Sequence, residues 1–85
     1  MNGYTGVTLN IREIKRRREV RAKTIALMEA AEEAEEASSM ALRAAEAAIH
    51  AEEYETAEEL MDDSARHSCE AGELRRQASM LGGGK

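Results

Sequence analysis

Between Val7 and Ala71 the chain carries no glycine and no proline. Alanine, glutamate and arginine fill that stretch, and these residues lose little side-chain freedom in a helix. Nothing in it removes an amide donor or frees the backbone to turn. An almost wholly helical chain is expected. The sequence has no tryptophan or phenylalanine and only two tyrosines, so its helices must pack through small side chains. The expected fold class is all-α: an antiparallel helical hairpin with alanine-rich seams, oligomeric. A three-helix form would result if the basic N-terminal segment folded back as a helix of its own.

Local signals divide the chain. Residues 1–9 contain Asn2, Gly3 and Gly6 and read as an irregular arm. Asn10, with Glu13 three residues later, fits a capping box that would start a first helix running to about His50. The acidic run over residues 50–56 is where a turn is expected, and Thr56 with Glu59 fits a second capping box. The second helix is then expected to end at the glycines of residues 82–84, with Arg75 and Arg76 near its negative pole. Residues 10–81 therefore form the hairpin domain and 82–85 a Gly-rich tail.

Spacing of three and four picks out Val20, Thr24, Leu27, Ala31, Ala34, Ser38, Ala41, Ala45 and Ala48 in the first helix. In the second it picks out Leu60, Ser64, His67, Ala71, Leu74, Ala78 and Leu81. Small residues at such positions let two helices approach closely and gain from dispersion contacts. Gly72 is expected to permit close contact with the first helix. His67 is expected to hydrogen-bond across the pair, and the methionines to fill gaps in the core.

Helix lengths do not match. At 1.5 Å per residue, a helix over 10–50 would reach roughly 60 Å and one over 56–81 roughly 39 Å. Residues 10–23 would then overhang, to be folded back or covered by another subunit. A chain of 85 residues buries a modest share of its surface, which is a further reason to expect a homo-oligomer. Its packing and oligomer contacts are assigned to Ile11, Ile14, Val20, Leu27, Ala34, Ala41, Leu60, His67 and Leu74.

Over Ala44 to Met61 the sequence resembles the helix pairs of tetratricopeptide-type repeats, microtubule-interacting-and-trafficking domains and translin. The shared elements are Ala48-Ile49-His50, Glu53-Tyr54 and Ala57-Glu58-Glu59-Leu60. That resemblance covers under a quarter of the chain and implies a helix–turn–helix, with no function attached.

Charge is segregated. Residues 12–23 carry a net +5, residues 29–63 a net −12, and residues 64–85 a net +2. In a hairpin turning near residue 53 the acidic block surrounds the closed end and both basic segments meet at the open end. The acid-first pairs Glu13–Arg17, Glu19–Lys23 and Asp62–Arg66 are expected to support the helices.

Catalytic constellations are missing from this pattern. His67 and Cys69 are two residues apart and face different sides of a helix, and no cluster has the ligand count of a zinc site. Neither catalysis nor a cofactor or metal is expected. The lone Cys69 cannot form an internal disulfide, the first ten residues lack a signal-peptide pattern, and no apolar run approaches ~20 residues. A reducing, cytoplasmic setting without membrane contact is expected.

The leading expectation is a small, non-enzymatic, self-associating protein of phage or bacterial accessory type that binds, blocks or sequesters a protein partner. The alternative is a sponge-like binder of a small anion such as a nucleotide or cyclic nucleotide. Arg16, Arg17, Arg18, Arg21, Arg75 and Arg76 would grip it at a subunit junction, with Tyr4 available for stacking. Long nucleic acid is disfavoured by the net charge of −5 and the scarcity of aromatics.

Overall fold

The computed structural model describes the backbone of residues 2–83 and the side chains of residues 10–81. It consists of two α-helices, α1 (Asn2–His50) and α2 (Tyr54–Gly83), folded back on one another as a hairpin. Within the described backbone only residues 51–53 lie outside them, and there is no strand. The molecule is a rod of 77 × 15 × 11 Å.

Helix α1 begins well before its expected start. Residues 2–9, expected as an irregular arm, are helical, and Asn10 sits inside the helix instead of capping it. Extending an existing helix adds a hydrogen bond per residue without a new nucleation step, so Gly3 and Gly6 weaken this end without stopping it. The basic segment continues α1 and does not fold back, so the described residues form two helices and no third.

A three-residue device reverses the chain. Glu52 N–H donates to the Ile49 carbonyl (2.9 Å) and Glu53 N–H to the Ala48 carbonyl (2.8 Å). This pair of bonds is a Schellman motif. Its left-handed position, usually glycine, is filled by Glu52 at φ 63°. The Glu53 carbonyl accepts from Ala57 N–H at 3.0 Å, which starts α2. Thr56, expected to cap this helix, therefore lies within its first turn. Glu55, also in that turn, complements the positive pole of the macrodipole.

The buried residues are Ala31, Ala34, Ala45 and Ala48 on α1, and Ala57, Ser64, Ala71 and Ala78 on α2. Half-buried Val20, Thr24, Leu27, Ser38 and Ala41 on α1 and Leu60, His67 and Leu74 on α2 complete the same contact faces. Ala31, Ala34 and Ala71 form one cluster, against which Leu74 packs. At the middle of the pair the Ser38 hydroxyl lies 2.8 Å from the Ser64 hydroxyl and donates to the Ser64 carbonyl at 3.0 Å. Both serines thus satisfy polar atoms that a small-residue contact would otherwise strand.

Three details differ from the sequence expectations. Gly72 faces open space, since a Cβ built there meets nothing within 4 Å. The Nδ1 atom of His67 lies 3.6 Å from Glu70 on its own helix, so His67 does not bridge to α1. Met28, Met40, Met61 and Met80 are 46–73% exposed, because a contact line of alanines leaves no gap wide enough for them.

Two substitutions test this backbone reading. Glu52→Gly removes the left-handed strain and should stabilise the hairpin by about 1 kcal/mol. Gly72→Ala should add a similar ~1 kcal/mol by helix propensity alone. Chemical denaturation checks both, and a loss of stability in either variant contradicts the assigned geometry. Ala31→Leu should cost about 1–3 kcal/mol in the same assay, because the added volume must push the helices apart.

Candidate interaction surface

The register of the hairpin decides which residues remain free. Ser38 meets Ser64, and Ala31 packs with Ala71. Each step back along α1 is therefore matched by one step forward along α2, which sets Ala78 level with Thr24 and Leu81 level with Arg21. From about residue 20 downwards α1 has no α2 beside it. The described side chains of residues 10–19 are all exposed. With the rest of its first turns, this arm projects roughly 27 Å beyond α2 at 1.5 Å per residue.

Its contact face also changes character there. The positions that would continue Val20 and Thr24 are Asn10, Glu13 and Arg17, and Glu13 pairs with Arg17 at 3.5 Å. A shallow groove lined by Glu13, Arg16, Arg17, Val20, Arg21 and Thr24 opens where α2 stops. The C-terminal carbonyls of α2, which carry negative partial charge, end beside this basic segment.

A second stripe runs along α1, about a quarter-turn from the contact with α2. It carries Ile11, Ile14, Arg18, Arg21, Ile25, Met28, Glu32, Glu35, Ser39 and Leu42, spaced alternately three and four. Its apolar members are 47–51% exposed. Arg75 of α2 bonds to Glu35 across the hairpin, which fixes this stripe and the α2 stripe of Tyr54, Met61 and Arg75 on one side of the rod. That side is the candidate interaction surface.

Its electrostatics are unbalanced along its length. Glu29, Glu32, Glu33, Glu35 and Glu36 crowd two turns of α1. Like charges three and four apart destabilise a helix by about 0.2–0.5 kcal/mol per pair. Arg12, Lys15, Arg16, Arg18 and Arg21 repeat the problem with the opposite sign on the arm. Local pairs relieve little of it. Arg66 bonds to Asp63 instead of the expected Asp62, and Arg76 bonds to Glu73. Among the described residues Arg16, Arg18, Arg21 and the expected pair Glu19–Lys23 form no ion pair.

The arginines expected to grip an anion are only partly grouped: Arg16, Arg17 and Arg21 line the groove at the end of α2, and Arg18 shares the exposed α1 stripe with Arg21. Arg16, Arg17 and Arg18 are consecutive and point about 100° apart, so the three cannot all converge on one phosphate. Arg75 and Arg76 are engaged with Glu35 and Glu73. The side chain of Tyr4 lies outside the described residues. Of the residues assigned to packing and oligomer contacts, Ala34 is buried, and Val20, Leu27, Ala41, Leu60, His67 and Leu74 are half-buried. Ile11 and Ile14 are exposed. Ile25, Met28 and Leu42 also lie on this surface, although they are not among the residues expected to make packing or oligomer contacts. Their spacing from Ile11 and Ile14 is the signal that identifies them.

Among the described residues no group of three or more histidine, cysteine, aspartate or glutamate side chains is arranged to hold a metal. Cys69 is exposed. No helix among them is long and apolar enough to cross a membrane. No protein-family model, curated protein or solved structure matches the chain.

Because no part of α2 lies beside Ile11 and Ile14, which are 51% and 47% exposed, replacing both with glutamine should leave the hairpin's intrinsic stability within ~0.5 kcal/mol. Chemical denaturation at low protein concentration reads this directly. A larger loss would mean that the arm packs within its own chain.

Proposed function

We propose that this protein is a non-catalytic helical interaction module whose working form is an assembly of at least two copies. One observation carries the reading. The basic arm of α1 extends past α2 with isoleucines exposed on one side, while an acidic block of opposite sign surrounds the far half of the same rod. A single copy leaves both charge blocks self-repelling and the apolar stripe wet. A second copy laid antiparallel places the arm of each along the acidic half of the other. Complementary charge of this kind fixes orientation and speeds encounter more than it adds affinity, while the isoleucines supply burial.

The non-catalytic part rests on cross-section. Two helices joined through alanine have no interior volume beyond their contact line, and the grooves of the rod are open to solvent. A site that raises or lowers the reactivity of a side chain needs enclosure. Binding, blocking or sequestering a protein partner requires only surface, which this rod has in excess.

The anion-binding alternative has less support, since Arg17, Arg75 and Arg76 are already paired with glutamates and the groove that Arg16, Arg17 and Arg21 line also carries Glu13. A single experiment separates the two readings. Sedimentation equilibrium at micromolar concentration should give a mass of two copies or more, and the Ile11→Gln, Ile14→Gln variant should weaken association at least tenfold. An anion binder would instead gain thermal stability from nucleotides through mass action, and the Arg16→Gln, Arg17→Gln, Arg18→Gln variant would lose that gain. A monomer at all concentrations, together with a nucleotide-induced shift, would replace the proposed function by the alternative.

A further inference from the structure

The exposed stripe of α1 encodes more than a tendency to associate. Its pattern of charge and apolarity is complementary to itself when reversed, and the geometry points to a specific docking of two copies, α1 against α1, about a two-fold axis between residues 26 and 27. This inference rests on the proposed self-association and adds the face, the direction and the register.

The pattern reads outward from that axis. Ile25 of one copy falls opposite Met28 of the second. One step further, Arg21 falls opposite Glu32, and then Arg18 opposite Glu35. Beyond these, Ile14 meets Ser39 and Ile11 meets Leu42. Apolar residues therefore meet apolar or small neutral ones, and each arginine meets a glutamate. The two-fold axis makes every such contact twice. Opposed positions alternate in the way that helices of opposite direction present their three-and-four spaced ridges to one another.

Neighbouring registers do not share this property. Sliding one copy by a heptad sets Ile25 against Glu35 in one direction and against Arg21 in the other. Met28 would then meet Glu32 or Arg18. Burying a charge against an apolar side chain without a partner is costly, so alternatives are penalised as well as the favoured pairing stabilised.

The hairpin geometry admits this docking. The stripe lies about a quarter-turn from the α2 contact, so a second α1 can occupy it without displacing α2. Arg75 already bonds to Glu35 from the α2 side, and Arg18 of the second copy would reach the same carboxylate from the other. Met61 is level with Ala41, one residue before Leu42, across the hairpin and 46% exposed, which places it near the arriving Ile11. The contact extends over residues 11–42 and is roughly 47 Å long. It also relieves both crowded charge blocks at once.

Charge reversal at one pair tests the register. Arg21→Glu leaves glutamate at both 21 and 32, and Glu32→Arg leaves arginine at both. Each variant repels itself in the proposed docking, yet the two are complementary to each other. Within a single chain both changes relieve like-charge neighbours, so circular dichroism should show undiminished helicity. Sedimentation of each variant alone should show its self-dissociation constant raised about tenfold or more. An equimolar mixture should restore association to within about threefold of the parent chain.

If the parent associates but each variant alone associates equally well, or the mixture gains nothing, the register is wrong and self-association stands. If the parent remains monomeric to the hundred-micromolar range, the proposed function fails and this docking fails with it.

Discussion

Close approach through alanine governs the rest of this molecule. A contact built from Ala31, Ala34, Ala45 and Ala48 against Ala57, Ala71 and Ala78 places two backbones near one another, but withdraws little apolar area from water. Among the described residues no large side chain is fully buried. The larger apolar residues are pushed to the flanks or left on the surface, where Ile11, Ile14, Ile25, Met28 and Leu42 lie about half exposed. A contact that tight fixes the pairing of the helices by shape. The same contact leaves the means of further assembly on the outside.

Unequal helix length then turns a packing geometry into a functional one. Because α2 ends at Gly83, level with about Glu19, most of the basic segment of α1 has no α2 beside it. The acidic residues sit beyond it, around the closed end. A rod with opposite charge at its two ends and an apolar stripe between them is what the proposed assembly rests on. Each of these features taken alone would be an ordinary solvated helix face. The proposal of a second copy rests on the one α1 stripe that combines Arg18 and Arg21, Glu32 and Glu35, and the exposed apolar residues.

Much of the architecture is legible in the sequence. A glycine- and proline-free stretch with a weak acidic break leaves few outcomes besides two paired helices. Limits appear where local rules compete. Asn10 and Thr56 have the chemistry of caps, yet both lie within helices, because capping preference of about 1 kcal/mol cannot halt a helix that tertiary contact or simple propagation extends. The chain reverses at residues 51–53, inside the acidic run expected to turn, but the left-handed position is held by Glu52 where the rule looks for glycine, so the run and not the cap residue marks the site. Gly72 looks like a close-packing position, but its face is visible only once the register is known. The surface was harder to read than the fold. Ile11 and Ile14 stand out by type, whereas Ile25, Met28 and Leu42 join them only when a common face is established. The arginines cluster in sequence but divide in space between the groove at the end of α2 and the exposed α1 stripe, since adjacent helix positions diverge.

The most direct test of this account is amide hydrogen exchange on the full chain across protein concentrations. Residues 31–48 and 57–78 should be protected at every concentration, since their pairing lies within one chain. Amides of residues 10–23 should exchange rapidly when dilute and gain protection as the concentration rises through the association range. Protection of that arm independent of concentration, or gains confined to the closed end around residues 48–58, would contradict it.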